Sequence, residues 1–159
     1  MSEAERDEFL ATERTCRVAT VGAHGPHATA LWFLWHGGKV WIYSLTRSQR
    51  WADVMSDPRI GLVVDAGHEY EQLCGVEITG RVAQVGEVPR TGEPVAALEI
   101  VEKMFSAKYF GGAAGGGTAP DGTAMNYDGK HAWLRLDPDK IVSWDFRKIP
   151  AGPDVATSG

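Results

Sequence analysis

KVWIYSLTRSQRWADVMSDPRI, residues 39–60, runs from an apolar strand pattern into a loop of hydroxyl and guanidinium side chains, then into a short helix. Trp51, Val54 and Met55 fall at helical spacing, which predicts one apolar stripe on that helix. Asp57-Pro58 ends it, because the residue before a proline is pushed out of the helical region, and a second apolar strand pattern begins at Arg59. The loop between strand and helix is suited to hold an oxyanion. A helix start presents backbone N–H groups without partners and the positive end of the helix dipole, and Arg47 and Arg50 add full charges. Thr46 and Ser48 add hydroxyl donors. The purely structural reading of the same residues makes Ser48 an N-cap and leaves the arginines in solvent. The chain has no glycine-rich phosphate loop of the usual nucleotide-binding kinds, so this basic loop is its best anion site.

Outward from this stretch the pattern is mostly strands. Residues 27–35 (HATALWFLW) read as one strand, and Gly37-Gly38 supplies a two-residue turn into the strand at 39–44. Trp32 and Trp41 are thereby expected on adjacent strands of one hairpin, where they can form an aromatic face. Residues 2–13 read as a short acidic helix, and residues 15–21 (TCRVATV) as a strand ending in a turn cluster at 22–26. Beyond the stretch, 59–65 and 73–85 read as strands, with Gly80 marking a bulge or bend. Residues 94–109 form the main helix, with Val95, Leu98, Val101, Met104 and Phe105 on one face. Strands at 132–136 and 140–146 bring the count to about seven. Helices interrupt these strands rather than alternate with them, which excludes a doubly wound parallel sheet and predicts an antiparallel barrel or sandwich. Residues 111–129 contain seven glycines and are expected to form a lid or a disordered connection.

Size and charge narrow the function. At 159 residues the chain is expected to be one domain, residues 1–149, with a flexible tail at 150–159. A net charge of −5 argues against general nucleic-acid binding, which needs a basic surface. Cys16 and Cys74 lack metal-ligand spacing and read as buried thiols. The opening MSEAERDEF has no apolar core of a signal peptide, and no run is long enough to span a bilayer, so a cytoplasmic location is expected.

With these residues in place the chain resembles the pyridoxamine 5′-phosphate oxidase-like superfamily of flavin- and deazaflavin-binding split β-barrels, most closely its branch that uses coenzyme F420. The resemblance runs from TCRVATVG through residues 26–67 to KIVSWDFRKI, and its specificity lies in the combination of hairpin, basic loop, short helix and DPR strand. It implies a mainly β fold with helices, an antiparallel Greek-key split barrel, and a homodimer with two cofactor sites at the interface. It further implies that the backbone of Thr29, Ala30, Leu31 and Trp32 runs along the cofactor ring. The phosphate-holding positions fall on Ser44, Thr46, Ser48 and Arg50, with Arg47 beside the phosphate or the acidic tail of F420. The strand HATALW carries no arginine or lysine where the vitamin B6 oxidase is basic, so pyridoxamine phosphate oxidation is not expected.

The implied chemistry is hydride transfer from reduced deazaflavin to a small conjugated acceptor: an enone, a quinone or a tetrapyrrole-like molecule. A flavin mononucleotide (FMN) enzyme of the same fold, or a non-catalytic carrier of flavin, deazaflavin or haem, are the alternatives. Lys108 and Tyr109, at the end of the main helix, are substrate-side candidates. Tyr43 and His131 join them as possible proton donors by residue type alone, and solvent can serve instead. No Ser-His-Asp set, paired-carboxylate signature or metal site stands out.

Overall fold

The computed structural model describes residues 1–111, 125 and 127–150. The expected lid or disordered connection and the expected tail therefore lie largely outside the described residues. Helix α1 (Glu3–Thr12) opens with a reciprocal cap, in which Glu5 N donates to Ser2 Oγ (3.2 Å) and Ser2 N donates to Glu5 Oε2 (2.6 Å). Then come β1 (Thr15–Gly22), β2 (Gly25–Trp32), β3 (Leu34–His36) and β4 (Lys39–Leu45). Helix α2 (Gln49–Ser56) leads into β5 (Arg59–Ala66), and a short 3-10 turn precedes β6 (Cys74–Val85). Helix α3 (Ala96–Phe110) and the long β7 (His131–Asp145) follow, and a second 3-10 turn (Phe146–Lys148) comes after β7.

All seven strands form one antiparallel sheet in the order β2-β1-β5-β6-β7-β4-β3. The two outermost strands, β2 and β3, are consecutive in sequence and separated only by Phe33. The sheet must therefore curl until its two edges meet, giving a barrel split beside β2. Gly37 and Gly38, at φ 62° and 71°, make the tight β3–β4 turn that only a left-handed backbone allows.

Two cores follow from the period-2 alternation. Val40 and Ile42 of β4 and Leu134 and Leu136 of β7 point into the barrel with Val18, Leu62 and Val76. The alternate residues Trp41 and Trp133 point outward and are covered by Leu98, Val101 and Phe105 of α3. Among the described residues no helix is long and apolar enough to cross a membrane.

Three local expectations are corrected. Residues 27–35 are two strands, because Phe33 turns fully into the core and its backbone N–H and C=O bond to the Tyr109 hydroxyl (3.1 and 2.6 Å) instead of to a neighbouring strand. Trp32 therefore pairs with Thr15 on one edge of the sheet while Trp41 pairs with Leu34 at the other, so the two do not share a hairpin. Residues 132–136 and 140–146 are one strand: Asp139 is an extra residue bulged out opposite Thr79 and Gly80, which lets β7 pass Pro138 without ending. The apolar stripes are narrower than expected, since Met55 and Met104 face solvent.

Candidate anion and cofactor site

Helix α2 begins as its sequence predicts. Ser48 Oγ accepts from Trp51 N (3.2 Å) and donates to Leu45 O (2.8 Å), so this hydroxyl is committed to the cap. Thr46 N and Oγ1 both donate to Lys130 O (2.9 and 3.0 Å), tying the loop to the residues just before β7. Arg47 is exposed on this loop. Arg50 behaves differently: it is only 9% exposed.

The guanidinium of Arg50 lies across the split in the barrel. Its Nη1 donates to Thr29 Oγ1 on β2 (2.6 Å), while Nη2 and Nε donate to Ser44 Oγ on β4 (3.2 and 3.4 Å). Among the described residues it has no carboxylate partner. Burial accordingly makes the charged form costly and pulls its pKa below the ordinary arginine value. A full charge held in a dry setting by hydroxyls alone leaves a desolvation cost that an incoming oxyanion would offset. Three of the five guanidinium N–H groups are used, which leaves two for such a ligand. The residues present thus fit a phosphate at the seam.

The strand beside the seam is open. Among the described residues β2 pairs in the sheet with β1 alone, so its other edge offers backbone donors and acceptors without strand partners. His27, Thr29 and Leu31 face inward, half-buried, while Ala28, Ala30 and Trp32 face outward and are exposed. Trp32 ends the strand stacked on Tyr109 (centroids 4.4 Å apart, 11° between planes), with Phe110 edge-on at 5.8 Å.

Both substrate-side candidates contact Phe33, where β2 gives way to β3. The Tyr109 hydroxyl accepts from Phe33 N and has one proton to share between Phe33 O and Arg14 O (2.6 and 2.8 Å). Lys108 reaches toward α1, with Nζ 4.5 Å over the Phe33 ring and 3.5 Å from Leu10 O. Burial, and then the charge of Arg14, push its amine down to about 8. His131 begins β7 with Nδ1 2.7 Å from Asp128 Oδ2 and its ring stacked on Tyr43 (5.1 Å). The Tyr43 hydroxyl is buried without a hydrogen-bond partner.

Sequence reasoning missed three features. Lys130 sits beside the basic loop because of its carbonyl, which no side-chain pattern announces. Asp53, one turn after Arg50, is buried against β1, where a charged residue on an apolar stripe was the available signal. Arg90 and Glu102 form a bidentate buried pair (2.7 and 3.1 Å), and Glu102 also accepts from Tyr127 Oη (2.8 Å) and Trp133 Nε1 (2.9 Å), bracing α3 on the sheet. Those partners come from four separate segments, so no local spacing reveals them.

A family model described as pyridoxamine 5′-phosphate oxidase matches residues 2–145. The chain belongs to this family. Solved structures agree on the split barrel. A conserved hypothetical protein from Mycobacterium tuberculosis is 29% identical, with 96% of this chain and 89% of that one covered at a TM-score of 0.75. A structure described as an F420 reductase is 17% identical, covering 86% of this chain and 94% of its own at 0.61. The FAD binding protein from Mycobacterium smegmatis is 16% identical, covering 91% and 94% at 0.59. No curated protein matches the chain. In this chain β2 carries no arginine or lysine, and the cation beside it comes from α2.

Proposed function

We propose that the protein is an F420-dependent oxidoreductase that passes a hydride to a small conjugated acceptor such as an enone, a quinone or a tetrapyrrole-like molecule. The observation that carries this reading is Arg50, a buried guanidinium without a carboxylate, set at the seam beside the open edge of β2. Arg50, with Thr29 and Ser44 fixing its plane, holds the cofactor phosphate, and the loop of Thr46, Arg47 and Ser48 forms its mouth. The backbone of Thr29, Ala30, Leu31 and Trp32 lies along the ring. Bound in its reduced form, F420 supplies the hydride; the chain supplies binding, orientation and an apolar wall. A second copy of the chain covers the exposed outer face of β1 and β2, so that the site lies at a dimer interface. The two cysteines are buried and unlinked, which suits a reducing, cytoplasmic setting.

A basic rim favours the deazaflavin over a flavin nucleotide. Arg47 and Lys130 stand on neighbouring backbone, joined through Thr46, and neither side chain forms an ion pair among the described residues, while the Lys130 amide donates to Asp128 Oδ1 (2.9 Å). Such a rim suits the polyglutamate tail of F420, which FMN lacks. The competing flavin reading draws on the fold shared with FAD-binding proteins. Side-by-side fluorescence titrations at low and moderate salt separate them. F420 should bind more tightly, with an affinity that weakens as salt screens the exposed rim. FMN binding as tight as F420 would replace this reading with the flavoenzyme. Turnover of enones, quinones and tetrapyrroles with reduced F420 then separates an enzyme from a carrier.

A further inference from the structure

Two polar groups beside Arg50 take no part in holding a phosphate. Asp53 lies one helical turn further along α2 and is 2% exposed. It accepts from Thr20 Oγ1 (2.7 Å) and from Gln49 Nε2 (2.7 Å), and its carboxylate occupies the space a Cβ at position 22 would need, so only Gly22 fits there. Those two hydrogen bonds, and then the imidazoles of His27 and His24, hold its carboxyl below the usual carboxylate range. His27 stands two residues before Thr29 on the same inward face of β2. Its Nδ1 is buried, has no hydrogen-bond partner among the described residues, and lies 3.8 Å from Asp53 Oδ2.

We infer that Asp53 and His27 are positioning residues for Arg50: a proton on His27 closes Nδ1–H onto the Asp53 carboxylate, draws β2 onto α2, and so holds in place the existing Thr29–Arg50 contact that receives the anion. The inference rests on the reading of Arg50 as the anion-holding group. A gap of 3.8 Å is too long for a hydrogen bond, whereas an imidazolium beside a buried carboxylate gains by shortening it. Both elements of the seam are touched by the same proton, since β2 carries His27 and Thr29 while α2 carries Asp53 and Arg50. The charged and titratable groups around His27 are few. On α2 they are Asp53 and, a turn back, Arg50; the β1–β2 turn contributes His24, and β1 presents only the neutral Thr20. An imidazole gains its proton as pH falls, so the brace tightens in that direction.

The test begins with wild-type protein and no cofactor. The Nε–Hε resonance of Arg50 and the imidazole resonances of His27 are followed by NMR from pH 8 to pH 5. Arg50 should shift with the His27 midpoint, and that shift should vanish in H27Q and in D53N. An Arg50 signal that ignores the His27 titration, or follows it equally in D53N, overturns the brace. F420 titrations over the same range add the functional half. Relative to H27Q, wild-type affinity should rise as pH falls, by up to about tenfold per pH unit, the limit for one linked proton. Identical pH profiles for the two proteins overturn that half. If neither F420 nor FMN binds wild type while Arg50 still tracks His27, the cofactor reading has failed and the brace stands.

Discussion

Arg50 and Tyr109 are both buried and both bridge segments of the barrel, yet their removal should act in opposite directions. Arg50 is a desolvated charge without a carboxylate among the described residues, so replacing it with an apolar side chain of similar length removes a cost as well as three hydrogen bonds to two hydroxyls. Arg50→Met should leave the thermal midpoint of the free protein unchanged or raised. The same variant should weaken phosphate-bearing cofactors by about 1.5–3 kcal/mol, the range for a charge-assisted hydrogen bond. A large loss of stability together with intact F420 affinity would reassign Arg50 to the scaffold. Tyr109→Phe should do the reverse. It strands the Phe33 N–H and a buried carbonyl where β2 gives way to β3, costing about 1–3 kcal/mol. Urea unfolding should register this as a lower midpoint at an unchanged slope.

Among the elements, α3 carries the clearest pH signature. The Lys108 amine is pushed from its ordinary value near 10.5 down to about 8, mainly by burial against α1 and secondly by Arg14. Between those values the unfolded chain holds a proton that the folded chain has released. The stabilising contribution of this group is therefore complete above about 10.5 and is lost as pH falls through about 8. Cys16 opposes it, because burial raises its thiol to about 12 and its contribution fades as pH rises. The informative quantity is thus the difference between wild type and Lys108→Met, which should grow in favour of wild type from pH 8 to pH 10; a flat difference would place Lys108 in solvent. Legibility in the sequence also divides by element. Helix α2, its Ser48 cap and the Gly37-Gly38 turn follow from local chemistry and were readable as such. The break at Phe33 depends on a hydroxyl 76 residues away, and the continuity of β7 through Pro138 depends on a bulge facing Gly80, so neither is written in its own segment. The site divides the same way: the basic loop is legible, while the burial of Arg50 and Asp53 and the arrival of Lys130 beside the loop and of His27 beside α2 come from barrel closure.

For the molecule as a whole, the outer face of the sheet is the surface left unexplained by the monomer. Where α3 covers β4 and β7, the outward side chains are large and buried; on β1, β2 and β5, Ala19, Ala28 and Gly61 floor an open depression of about 530 Å³. Trp144 and the Arg17–Asp65 ion pair rim it, and Val21 beside it is 58% exposed. A flat, small-residue floor lets another backbone approach closely, and Ala28 belongs to the strand proposed to line the cofactor ring. A second copy of the chain seated here would bury roughly 2,000 Å² or more in total, as obligate dimers do. Gly61 provides a clean test, because a Cβ built at that position meets nothing within 4 Å. Gly61→Arg should therefore fold normally as a monomer while placing a charged side chain in the centre of the contact. Sedimentation at micromolar concentration should show wild type as a dimer of the 17.3 kDa chain and the variant as a monomer. F420 affinity should fall in the variant as well, since the partner completes the site. A wild-type protein that sediments as a stable monomer removes the interface from the proposal, and a monomeric variant with full F420 affinity shows that one barrel alone holds the cofactor.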